Sequence, residues 1–182
     1  MRLFVAAIPP DGVLDQIEQW MSSGRSVAGG VDLRWTRRDQ WHLTLAFLGE
    51  VDDSLLAALD RRLGAVAKRH GRQLLSIEGL GRFDGRVLWA GVRGDREALK
   101  DLARAVQAAC RKAGAAVDER PFRPHVTLAR ARHPIDLRPV LESLPELRTR
   151  EWSTDYIHLV RSHLGPHPTY ETIGSWALRE PD

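Results

Sequence analysis

The chain spells His-x-Thr-Leu twice, in "WHLTLAFLGE" at 41–50 and in "PHVTLARARH" at 124–133. Each copy opens a β-rich run, follows a polar approach containing arginine, and is succeeded by a helical pattern. With 7 His, 7 Thr and 24 Leu in 182 residues, only about 0.04 copies are expected by chance. Two copies in matching contexts therefore point to two related halves. Side chains two apart in a strand share a face, so His42 and Thr44 point one way, and His125 and Thr127 likewise. If the halves pair about a pseudo-two-fold axis, both His-Thr faces look into one groove.

Between and around the motifs, strand and helix patterns alternate. "RLFVAAI" reads as a strand, and "PDGVLDQIEQWMSSG" as a helix ending at Gly24 with Val13, Leu14, Ile17, Trp20 and Met21 at helical spacing. "SGRSVAGGVD" reads as loop, then "LRWT" and "WHLTLAFLG" as strands and Asp52 to His70 as a helix. "QLLSIEG" and "RVLWAGV" are strands, Asp95 to Ala113 a helix closed by Gly114, "HVTLARA" a strand, and "DLRPVLESL" holds a short helix. Two closing strands are expected in "REWSTDYIHLVRS" and "TYETIGSWAL". No linker splits the chain, so residues 1–182 read as one domain able to bury a sizeable core.

Several function classes drop out. "GLGRFDG" at 79–85 glances at a dinucleotide fingerprint, but its glycine spacing is one residue too long and a strand follows where a helix is required, so it reads as a turn. No G-x-x-x-x-G-K-[ST] occurs. For metals there is no H-E-x-x-H, and Gly165 and Pro166 break the helix that His163 and His167 would need; no metal and no cofactor are expected. The single cysteine, Cys110, follows Leu99, Leu102, Ala103 and Val106 at helical spacing and reads as core filler. The apolar run near the start stops at Ile8, too short for a secretory signal, and no stretch approaches a membrane span. A cytoplasmic monomer without membrane contact is expected. Net charge is only +3, but 24 arginines against 3 lysines suit a phosphate-bearing partner.

The groove's chemistry follows from its residue types. Two imidazoles with ordinary pKa values near neutrality can serve as one base and one acid on opposite sides of a reacting centre. Two hydroxyls can donate to the oxygens between them. Neither a nucleophilic Ser or Cys nor a metal is needed. A phosphodiester fits, because its transition state spreads charge over non-bridging oxygens that Thr44, Thr127 and nearby arginine can stabilise. The other histidines, His70, His133, His158, His163 and His167, default to surface or structural roles.

With "MRLFVAAIPP", "RWTRRDQWHLTLAFLGEV", "RVLWAGV", "RPFRPHVTLARAR" and "LVRSHLGPHPTYETIGSWAL", the chain resembles the two-histidine (2H) phosphoesterases over nearly its whole length. Within them it is similar to the bacterial and archaeal RNA 2′,3′-cyclic phosphodiesterases, also called 2′-5′ RNA ligases. The resemblance implies an α+β fold of two pseudo-symmetric lobes, each a curved antiparallel sheet backed by helices, with the groove between the sheets. It implies as substrate an RNA 3′ end closed as a 2′,3′-cyclic phosphate, tRNA fragments included, and a 2′-phosphomonoester as product. It makes His42 the proton donor to the 3′ oxygen and His125 the acceptor from water, so the free protein should hold His42 protonated. Ligation, the reverse reaction, and a non-catalytic RNA-binding module with Trp35, Trp89 and Tyr170 stacking bases are the alternatives. Two positions stand out. Trp41 occupies a place where the family leads one to expect Leu. Arg130 matches a family arginine that could bind phosphate, but strict alternation from His125 sends it to the opposite face unless the strand twists or bulges.

Overall fold

The computed structural model describes residues 1–166 and 168–180; His167 lies outside the described residues. Among these, nine strands form: β1 (Arg2–Ala7), β2 (Leu33–Trp35), β3 (Leu43–Glu50), β4 (Leu74–Phe83), β5 (Val87–Gly94), β6 (His125–Ala131), β7 (Trp152–Ser153), β8 (Tyr156–His163) and β9 (Thr169–Ala177). Four α-helices accompany them: α1 (Asp11–Val27), α2 (Leu56–Arg69), α3 (Arg96–Lys112) and α4 (Arg138–Ser143). The strands build two antiparallel sheets, one in the order β3-β1-β8-β9 and the other β2-β6-β5-β4-β7. The lobes are thus interleaved along the chain: β1 and β3 share a sheet with β8 and β9, and β2 crosses to the other.

Each helix buries the stripe its sequence spacing sets. Helices α2 and α3 pack on each other and lie against β9 and β3 of the first sheet. Leu59 and Leu63 of α2 and Leu99, Leu102 and Val106 of α3 are fully buried there, each worth roughly 1.5 to 3 kcal/mol. Helix α1 lies with α4 on the second sheet: the Trp20 ring is edge-on to Trp35 at 6.5 Å, and its indole N–H donates to the Pro145 carbonyl at 2.9 Å. One apolar core runs continuously between both sheets and all four helices. Cys110 is buried in it, and burial pushes its thiol up to about 12. No helix among the described residues is long and apolar enough to cross a membrane.

Three expected boundaries move, each for a local reason. Helix α1 does not stop at Gly24 but runs on to Val27. Gly24 faces Leu144 and the Trp20 ring, where an added Cβ would sit 3.3 to 3.4 Å from both, so it is a close-packing residue and not a cap. The stretch 79–85 is only partly a turn: β4 continues through Gly79 and Gly81 to Phe83, and the turn proper is residues 84–86. The expected long strand from Arg150 is two strands in two sheets. Thr154 N–H bonds the Gln73 carbonyl on the second-sheet side, whereas the Asp155 carbonyl accepts from Leu178 N–H beyond β9.

Candidate active site

His42 sits immediately before β3 and His125 opens β6, and these two strands approach each other where the sheets meet. Burial follows the period of two: Leu43 and Leu45 are in the core while His42 and Thr44 are half-buried, and Val126 and Leu128 are in the core while His125 and Thr127 are half-buried. The His42 Nε2 lies 3.1 Å from the Thr44 hydroxyl. The His125 Nδ1 faces the Arg123 carbonyl at 2.6 Å, and the backbone of Gln40 hydrogen-bonds His42. In each motif, therefore, the residue two before the histidine orients the ring. Donation from Nδ1 to a carbonyl leaves His125 Nε2 as the free nitrogen.

Both motif strands bulge at the same point. Ala6 pairs with Thr44 and Val5 with Ala46, so Leu45 has no partner of its own. Trp89 pairs with Thr127 and Leu88 with Ala129, which leaves Leu128 in the same position. After each bulge the alternation inverts. Leu45 and Ala46 are both buried, as are Leu128 and Ala129, and the next residues, Phe47 and Arg130, return to the His-Thr face. Phe47 accordingly packs with Phe4, Ala6, Val160 and Tyr170, a cluster separate from the main core. Arg130 is exposed on the corresponding side of β6, close enough for its charge to lower both imidazoles.

Electrostatics set the two histidines apart. Burial pushes His42 down to about 4, with the positive charges of His125 and Arg130 as lesser causes. His125 is lowered as well, again first by burial and then by Arg130. Both shifts run against the expectation that the free protein holds His42 protonated: burial and the positive charge of Arg130 disfavour the charged form of each ring. An aromatic wall contributes to that burial. Phe4 stacks on His42 at 4.7 Å, and Tyr170 meets the ring edge-on at 5.4 Å. Beside them opens a cavity of about 770 Å³ lined by Phe4, Ile8, Trp41, His42, Tyr170 and Thr172 among others, large enough for a nucleotide.

Trp41, the departure from the family pattern, has a role that the sequence reading did not foresee. Its ring is buried, and its indole N–H donates to the Thr36 hydroxyl at 2.9 Å. That hydroxyl in turn points to the carbonyls of Thr127 and Leu128, both at 2.8 Å. The residue preceding His42 is thereby tied to the second motif's bulge. Only the pairing of β2 with β6 brings Thr36 into place, a long-range contact with no local signal. His158 is the other surprise. It is opposite Ala6, which is itself opposite Thr44, so it stands on the groove side of the first sheet, with Nδ1 2.8 Å from the Ser175 hydroxyl. His70 faces the Val66 carbonyl at 2.9 Å and His163 pairs with Glu171 at 3.0 Å, consistent with structural and surface roles. Among the described residues no three His, Cys, Asp or Glu side chains gather as a metal site.

A family model described as the 2′-5′ RNA ligase superfamily matches residues 9–166. An RNA 2′,3′-cyclic phosphodiesterase of Geobacillus stearothermophilus is 37% identical over 150 residues, 79% of this chain and 47% of that protein; the match thus spans about half the length of that relative. The RNA 2′,3′-cyclic phosphodiesterase of Escherichia coli is 29% identical over 181 residues, 98% of this chain and 97% of that one. The crystal structure of E. coli LigT complexed with 3′-AMP is similar with a TM-score of 0.81 at 28% identity, covering 97% of each chain.

Proposed function

This chain belongs to the 2′-5′ RNA ligase superfamily, and from that membership we propose that it is an RNA 2′,3′-cyclic phosphodiesterase working through His42 and His125. The observation that carries this reading is the double His-x-Thr face with Arg130 turned onto it. A cyclic phosphate held there meets a hydroxyl from each lobe, Thr44 and Thr127, and a guanidinium matched to its non-bridging oxygens. Water attacks phosphorus in line with the 3′ oxygen. His125 Nε2 takes the proton from water, His42 gives a proton to the departing 3′ oxygen, and the product is a 2′-phosphomonoester with a free 3′-hydroxyl. The protein acts on RNA ends, tRNA fragments among them, as a cytoplasmic monomer and a single bilobal unit.

The test is incubation with an oligoribonucleotide ending in a 2′,3′-cyclic phosphate, followed by end-group analysis. His42→Ala and His125→Ala should each lower turnover by roughly 10² to 10⁴, with far-UV spectra unchanged. Losses under tenfold in both would sink the pairing. A 3′-thio leaving group needs little protonation, so it should rescue His42→Ala and leave His125→Ala slow; the opposite pattern reverses the two roles.

A further inference from the structure

We propose that Trp89 is a nucleobase-stacking shelf on the second lobe, beside His125, a proposal that rests on the RNA phosphodiesterase reading. Trp89 pairs across the sheet with Thr127 and with Gly81, so its side chain stands on the His-Thr face. A Cβ at Gly81 would overlap the indole, and one at Gly91 would lie 3.5 Å from it. The ring therefore lies flat along the sheet over positions kept bare of side chains. Phe83 adjoins it at 5.2 Å and 34°, and meets His125 edge-on at 4.9 Å; the indole itself is 6.2 Å from the imidazole.

Two further facts separate this arrangement from ordinary packing. Phe83 and Trp89, both only partly buried, pack against neither apolar core of the described residues. The indole N–H is buried with no hydrogen-bond partner among the described residues, although a tryptophan placed for stability normally satisfies it. The ring is held for its face, not for its polar handle. A flat, half-open indole beside a phosphate site, at the edge of an Arg-bearing groove, has the chemistry of a base platform, and such stacking tolerates any base. This also accounts for "GLGRFDG": Gly81 bares the sheet for the indole and Phe83 supplies the second ring. The base can come from the nucleotide carrying the cyclic phosphate or from its neighbour in the chain.

Three substrates distinguish these sources: an oligoribonucleotide with a 2′,3′-cyclic phosphate end, the same abasic at the last nucleotide, and the same abasic at the penultimate one. Binding of a fluorescein-labelled oligonucleotide ending in a 2′-phosphomonoester, read by anisotropy, reports the shelf without turnover. Trp89→Leu should raise KM and Kd for the full oligonucleotides roughly ten- to hundredfold, with Gly81→Ala following it and Trp89→Phe restoring most of the loss. The abasic substrate that lacks the stacked base should be bound equally by wild type and Trp89→Leu, which names the occupant. Unchanged KM and Kd in Trp89→Leu, or an equal loss on both abasic substrates, overturns the shelf. If wild type leaves the cyclic phosphate closed while Trp89-dependent binding persists, the phosphodiesterase reading falls and the shelf stands.

Discussion

At the scale of single residues, His42 carries an unmet requirement. Its proposed role needs a charged imidazole, yet burial holds it at about 4. An anionic phosphate lodged between the motifs supplies the missing counter-charge, so the acid is made by its own substrate. Phosphate binding should then take up protons from solution, visible by calorimetry as a binding heat that changes with the buffer's protonation enthalpy; no buffer dependence would exclude it. The empty protein has its own signature. Its neutral His42 is depressed from the model-peptide value of 6.5 to about 4, so between those values the unfolded chain binds the proton and the folded one does not. Stability should fall as pH falls through that window, by on the order of 3 kcal/mol in total. Thermal unfolding of wild type and His42→Gln at about pH 7.5 and about pH 5 checks the sign, since the variant should lose less.

At the scale of elements, the decisive devices are the two bulges and the Trp41–Thr36 tie between them. Trp41→Phe keeps the buried ring and removes only the donor; Thr36→Val removes the hydroxyl that bridges to the Thr127 and Leu128 carbonyls. Each should cost about 1 kcal/mol of stability and slow turnover about tenfold by loosening the spacing of the histidines. The double variant should cost little more than either single one, because both cut the same chain. Full additivity in a double-mutant cycle would dissolve the tie. The His-Thr faces were legible in the sequence because a period of two is local. The bulge that turns Arg130 inward was not, because a bulge is defined by the partner strand's count, here Trp89 to Thr127 and Leu88 to Ala129. Nor was the break at Thr154, where neighbouring residues bond to different sheets.

At the scale of the whole molecule, the proposed chemistry relies on protons and hydroxyls brought together from two sheets. Exhaustive EDTA treatment should therefore leave the hydrolysis rate unchanged, and a loss restored by a divalent ion would require a different mechanism. The interleaving of the lobes has a further consequence, in time instead of space. Phe4 is paired with Val160, so the sheet beside His42 closes between segments 156 residues apart (160 − 4). By Ser153 every strand of the second sheet has been made, while the first still lacks two of its four. At ribosomal rates β1 must wait roughly ten to thirty seconds for its central neighbour, its apolar face sheltered by whatever has already folded. A nascent chain can thus assemble the lobe bearing His125 first, and the proposed site is completed only with β8 and β9.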